Sequence, residues 1–308
     1  GLTPGLTMWA GPSKHFKTAF SLLMAKSYMD KYKDAVLLFY DSEFGTPIKY
    51  FKTFEIDMDR VLHTPLTNIE ELKFDIMQQL QDVQRGDKLI IVLDSIGNLA
   101  SKKEVEDALD GKSVADMSRA KQVKSLFRMV TPHLNLKDIP MVVVNHTYKE
   151  IGMFPKDIVG GGTGSYYSAD NIYIVGRQQE KDGTEIVGYN FIINVEKSRY
   201  TKEKAKIPIT VSFDGGIQRY SGLVDLAIEG GFVSKPSPGW YAKIDRTTGE
   251  IGDRVRFEST QTDEFWKDLL KYEPFKEYVK KKYEIAYSNI MGEDIQLPPV
   301  ESTKDEEV

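Results

Sequence analysis

The 308 residues, 41% hydrophobic and 11% aromatic, supply a sizeable core and about two domains at roughly 150 residues each, which excludes disordered, collagen-like and disulfide-scaffold classes. Lys and Arg number 41 against 46 Asp and Glu, a net charge of -5, so a polyanionic partner has to be met by a local basic patch. With no cysteine there is no disulfide, thiolate zinc site or cysteine nucleophile, and apolar runs of about five residues, such as 89–93, fall far short of the roughly 18 to 20 a membrane span needs.

The chain opens on Gly1 with no basic-then-apolar leader, which reads as the remainder of a longer chain. Apolar runs at 6–10, 35–40, 88–93 and 140–144 are continuous rather than alternating, as expected of strands covered on both faces. Helical stripes lie between them: Phe20, Leu23, Met24 and Tyr28 share one, and Val114, Met117, Ala120, Val123, Phe127 and Val130 another. This alternation predicts a parallel sheet with crossover helices. After Asn145 the pattern changes: runs at 171–175, 187–195 and 207–213 follow without a helix between them, with Asp182 and Gly183 as a hairpin turn, so the sheet ends in antiparallel strands. From Gly222 a helix over 223–229, a Pro/Gly stretch and an amphipathic helix over 264–283 read as a small second domain, and residues 301–308, with four acids and one lysine, as a solvated tail.

Gly11, Pro12, Ser13, Lys14, His15, Phe16, Lys17 and Thr18 fall between the first strand and the first helix. A loop there aims backbone N–H groups and a helix N-terminus at one point, which suits a polyphosphate, with Lys17 reaching the β and γ phosphates and Thr18 the Mg²⁺ between them. The strict motif has glycine where Phe16 stands, and an ordinary strand-to-helix turn carrying a lysine fits the same residues. Asp94 ends the run at 88–93, where a carboxylate orders the water shell of a nucleotide-bound Mg²⁺ or simply caps a helix. Glu43, after the run at 35–40, is placed to polarise a water as general base. Three strands each deliver one group at the C-terminal edge, the crevice where open parallel sheets bind ligands.

The order of residues 11–18, Tyr40-Asp41-Ser42-Glu43, Leu93-Asp94-Ser95, Val144-Asn145-His146 and Val195-Glu196-Lys197-Ser198-Arg199 resembles the RecA-fold recombinases, and the wording at 10–16, 39–45, 97–104 and 160–164 is similar to the UvsX-type recombinases of bacteriophages. The resemblance runs from about Leu6 to Tyr283. It implies an α/β fold: a RecA-like P-loop core over 1–222, a small α+β C-terminal domain over 223–287, and an acidic tail over 288–308. It further implies a DNA-dependent ATPase that uses ATP and Mg²⁺, assembles on single-stranded DNA and exchanges strands with duplex DNA. In that reading Lys17 and Thr18 bind phosphate and Mg²⁺, Asp94 supports the metal, and Glu43 activates water. His146 senses the γ-phosphate in place of a glutamine, and Tyr50 stacks on adenine. Lys197 and Arg199, on one face of a strand, reach a neighbouring subunit's ATP; a solvated sheet edge has the same appearance.

The family's second DNA-binding loop corresponds to 148–165, expected here to be structureless, with Lys149, Phe154, Lys156, Gly161 and Gly162 as contacts; the glycines let it reshape and the lysines meet phosphates. The first corresponds to 101–111, with Lys102 and Lys103, leading to Arg119, Lys121 and Lys124, which equally suit a solvated helix face. Implied partners are DNA, further copies of the chain, and phage single-strand-binding and mediator proteins in the cytoplasm of an infected bacterium, with no membrane. Family members carry a helix and strand ahead of the first core strand, whereas five residues precede Leu6 here, so poor polymerisation is expected of this chain alone. The rival readings are a RecA-fold hexameric helicase and a phosphotransferase or nucleotide switch without a DNA role.

Overall fold

The computed structural model describes residues 2–111, 118–150 and 157–285. The first half alternates as the sequence predicts: β1 (Gly5–Ala10), α1 (Lys17–Lys31), β2 (Val36–Asp41), α2 (Ile48–Thr53), β3 (Val61–Pro65), α3 (Ile69–Asp82), β4 (Leu89–Asp94), α4 (Lys102–Leu109), α5 (Ser118–Leu136) and β5 (Pro140–Asn145). Then come β6 (Thr147–Lys149), β7 (Asp157–Val159), α6 (Gly162–Ser168), β8 (Asn171–Asp182), β9 (Glu185–Lys197), β10 (Lys206–Ser212) and β11 (Gly216–Ile217). One sheet runs β11-β10-β9-β8-β1-β5-β4-β2-β3, parallel from β8 to β3 and antiparallel from β8 outward to β11.

Every residue of β1, β4 and β5 is buried, which is why these strands read as unbroken apolar runs. Their side chains alternate between two cores. Leu6, Met8 and Ala10 join Leu72, Ile76, Val123 and Phe127 of α3 and α5 on one face, while Trp9 joins Phe20, Leu22 and Phe51 of α1 and α2 on the other. Register brings the strand tips level: Ala10 lies opposite Asn145, and Asp41 opposite Asp94. The chemistry therefore gathers along one edge.

The remaining elements are α7 (Leu223–Glu229), the three-stranded sheet of β12 (Val233–Ser237), β13 (Trp240–Lys243) and β14 (Val255–Arg256), then α8 (Asp263–Trp266) and α9 (Glu273–Tyr283). They close a separate apolar cluster of Tyr220, Val224, Phe232, Tyr241, Phe265, Trp266 and Phe275, so these aromatics are core.

Three expectations are corrected. The single helix over 264–283 is two helices, because Pro274 sits in the first turn of α9, where its missing N–H is tolerated, and cannot continue a preceding helix. The described residues of 148–165 are not structureless: β6 pairs antiparallel with β7, and α6 follows. The edge strand β3 was not expected, since it is half-buried and carries His63 and Pro65 rather than an apolar run. Phe154, Lys156, Val114, Met117 and the acidic tail over 288–308 lie outside the described residues.

Candidate functional site

The loop between β1 and α1 turns through two left-handed residues, Lys14 (φ 59°) and Phe16 (φ 56°). Glycine is the usual occupant of such a conformation, and a side chain there costs roughly 1–2 kcal/mol. The Phe16 ring offsets part of this by packing on Phe191 of β9, with ring centroids 4.9 Å apart. Gly11 has little room for a side chain, because an added Cβ would stand 3.1 Å from the Val175 carbonyl oxygen of β8. Lys17, the first residue of α1, is 6% exposed, and its Nζ donates to the Pro12 carbonyl at 2.8 Å, folding back over the loop's mouth. Burial holds its ammonium below the usual lysine range, opposed by the charges of Glu43 and Asp94.

Thr18 Oγ1 donates to Asp94 Oδ2 at 2.5 Å, so the loop and the tip of β4 already meet. The other carboxylate oxygen, Oδ1, is buried and has no hydrogen-bond partner among the described residues. A buried carboxylate with one spare oxygen beside a threonine hydroxyl fits Mg²⁺, but two protein groups are too few to hold that ion alone, so it would arrive with phosphates. Burial raises the Asp94 carboxyl to about 6, with Glu43 and Asp41 adding repulsion. Two consequences follow for pH. The nucleotide-free protein loses stability as pH rises from about 4 to about 6, because over that window the folded state holds a proton that the unfolded chain releases. Below about pH 6 that proton competes with the metal, so the apparent Kd for Mg-ATP rises toward about tenfold per pH unit and is flat above about pH 7, a profile that nucleotide titrations across this range measure directly.

Glu43 leaves the tip of β2 on a turn built by Asp41, whose Oδ1 accepts from the backbone N–H groups of Glu43 (3.1 Å) and Phe44 (2.7 Å). Ser42 Oγ donates to the Ser95 carbonyl at 2.6 Å and accepts from the Ser95 N–H at 2.9 Å, tying the tips of β2 and β4 together. Glu43 Oε1 then accepts from His146 Nε2 at 3.2 Å and Ser95 Oγ at 2.7 Å. The His146 bond, helped by Ser95, holds the Glu43 carboxyl below its ordinary range despite partial burial, so it is ionised at neutral pH.

His146 follows β5 and continues this network. Its backbone N–H donates to Asn145 Oδ1 at 2.8 Å, Asn145 Nδ2 donates to the Gly160 carbonyl at 2.8 Å, and the Gly160 N–H returns to the His146 carbonyl at 2.9 Å. Gly161 (φ 83°) and Gly162 (φ 73°) then start α6 in conformations that favour glycine. A hydrogen-bonded path thus joins Glu43 to the glycine run.

A cavity of about 400 Å³ gathers Lys14, His15, Lys17, Thr18, Glu43, Tyr50, Asp94 and His146, together with Arg177 and Tyr189, which sequence reasoning missed. Tyr50 lies edge-on to Phe54 at 5.3 Å. Arg177 of β8 stacks over the Tyr189 ring at 4.6 Å and donates to the Lys14 carbonyl at 3.0 Å, bracing the left-handed turn. Ser13 and Phe16 also line it, whereas the described residues expected to meet DNA or a neighbouring subunit do not. Arg119 Nε donates to the Leu99 carbonyl (2.8 Å) and Nη2 to those of Ile96 (2.9 Å) and Gly97 (2.8 Å), so this partly buried guanidinium fastens the turn after β4. Lys102 and Lys103 are exposed in the first turn of α4, and Lys149 is exposed and pairs with Asp157 at 2.8 Å. Lys197 Nζ donates to the carbonyls of Tyr166 (3.1 Å) and Tyr167 (3.2 Å), and Arg199 Nε pairs with the buried Asp170 at 2.7 Å.

Residues 6–218 match the family model of the RecA N-terminal domain, and residues 220–279 match that of the C-terminal domain of the bacteriophage T4 recombination and repair protein. The chain is 51% identical over 291 residues to the recombination and repair protein of Enterobacteria phage T4, covering 93% of this chain and 74% of that protein. It is 27% identical over 221 residues to protein RecA of Streptomyces coelicolor, covering 71% of this chain and 58% of that protein. To protein RecA of Corynebacterium glutamicum it is 25% identical over 267 residues, 86% of this chain and 69% of that protein. Because the first model spans more than half of its length and the second takes up where the first ends, the chain belongs to the RecA family, on the side of the phage UvsX-type recombinases.

Proposed function

We propose that the protein is a single-stranded-DNA-dependent ATPase that assembles on DNA and catalyses homologous pairing and strand exchange in phage recombination, repair and recombination-dependent replication. The observation that carries this reading is the hydrogen-bonded path from Glu43 through His146 and Asn145 to Gly160, which links a nucleotide cavity to a glycine-rich segment suited to DNA.

In this reading Lys17 leaves the Pro12 carbonyl for the β and γ phosphates, and the loop's N–H groups and the N-terminus of α1 hold the rest. Mg²⁺ bound with ATP would supply neutralisation of phosphate charge. Thr18 and Asp94 are the residues that would hold it. Glu43, ionised and fixed from two sides, accepts a proton from the attacking water. A γ-phosphate beside His146 competes for its Nε2–H, and loss of the Glu43 bond is felt at Asn145 and Gly160. Lys102, Lys103, Lys149, Gly161, Gly162, Phe154 and Lys156 make up the DNA surface. Lys197 and Arg199, fixed by α6 and Asp170 at the far end of β9, serve a neighbouring copy's ATP.

The test is ATP hydrolysis with and without single-stranded DNA across a salt series. Stimulation of about tenfold or more that fades steeply with salt is expected, because each neutralised phosphate releases counterions. An ATPase indifferent to single-stranded DNA at every salt concentration overturns the DNA role.

A further inference from the structure

His63 lies on the edge strand β3, in register with Phe39 of β2, and its ring is held edge-on to Phe39 and tilted against Phe51, both at 5.4 Å. Packed in this way it presents Nε2 to Asp41 Oδ2 at 3.2 Å. Asp41 is 2% exposed and stands level with Asp94 on the neighbouring strand, yet the two carboxylates are in opposite conditions. Asp94 keeps an oxygen without a partner among the described residues, whereas both oxygens of Asp41 are engaged. Oδ1 takes the N–H groups of Glu43 and Phe44, and Oδ2 takes the Thr46 N–H at a long 3.4 Å together with His63. A carboxylate only accepts, so His63 is the donor and its Nε2 carries the proton.

Without His63, Oδ2 is left with its one long bond, and little fixes the rotation of the carboxylate about its own axis. The turn over 42–46, which contains the left-handed Phe44 (φ 53°), hangs from that carboxylate, and Glu43 projects from the turn. We propose that His63 is a positioning residue for hydrolysis: through Asp41 it sets the backbone from which Glu43 reaches the attacking water, while making no contact with nucleotide. This rests on the ATPase reading above. Catalytic geometry is unforgiving of displacements near 1 Å, whereas phosphate binding depends on the loop over 11–18, which His63 does not touch.

The experiment measures kcat and KM for ATP, with single-stranded DNA present, in the wild type, His63→Leu, His63→Gln and His63→Asn. His63→Leu is expected to lower kcat about tenfold and leave KM within about twofold. His63→Gln, whose amide nitrogen extends as far as Nε2, recovers most of kcat, and His63→Asn, a polar side chain too short to reach Oδ2, does not. If His63→Leu does not fold, the contrast between Gln and Asn carries the test. Unchanged kcat in His63→Leu or His63→Asn, or a loss shared equally by KM and not restored by Gln, overturns the proposal. Absence of turnover in the wild type instead overturns the ATPase reading on which it rests, so the two failures are distinguishable.

Discussion

Glu43→Gln is expected to bind ATP within a few-fold of wild type while losing about a hundredfold or more of its hydrolysis, the range that a positioned general base supplies. Glutamine keeps the shape and an acceptor oxygen, so the Ser95 hydroxyl and the His146 ring retain a partner and the tips of β2, β4 and β5 stay joined. What disappears is the negative charge. In the wild type that charge persists at neutral pH because His146 and Ser95 stabilise it more than partial burial penalises it. Single-turnover hydrolysis and the affinity for a fluorescent ATP analogue, measured on the same preparation, separate chemistry from binding. Turnover persisting within about tenfold of wild type removes Glu43 from the role of base, since no other effect of the substitution would be compensating for it.

Much of the site is legible in the chain because the fold places it by rule. Continuous apolar runs mark strands covered on both faces, parallel strands align their C-terminal ends, and that edge of the sheet carries Lys17, Glu43 and Asp94. The glycine-to-phenylalanine departure at Phe16 was the main obstacle at that level, and its resolution lies in Phe191, some 175 positions away along the chain. What the sequence hides is of the same long-range kind. Asp41 and Asp94 both end apolar strands, and only their surroundings tell the carboxylate that builds a turn from the one that keeps an oxygen without a partner among the described residues. His63 sits on a half-buried edge strand without periodicity. Arg177 meets the phosphate loop 163 positions from Lys14. Arg119 has the composition of a surface cation and the geometry of an internal fastener, a difference set by three carbonyls that no local pattern announces.

Lys17→Ala is expected to weaken binding of Mg-ATP about a hundredfold, in line with the 2–5 kcal/mol typical of truncating one partner of a buried charge pair. The wild-type ammonium is nearly sequestered from water and rests on the Pro12 carbonyl, so its desolvation is already borne by the folded chain and less remains to be overcome when phosphate replaces that carbonyl. Alanine is a good residue for the start of α1 and leaves the hydrophobic faces intact, so the variant folds. Its Pro12 carbonyl, partly exposed at the loop mouth, turns to water. Loss of the Lys17 charge also removes one of the influences that lower the Asp94 carboxyl. Thermal unfolding with and without Mg-ATP reads this out: wild type gains stability with ligand, as binding to the folded state alone requires, and Lys17→Ala does not at the same concentration. A ligand-induced shift equal to that of wild type places the triphosphate away from Lys17, and with it away from Thr18, Asp94 and Glu43.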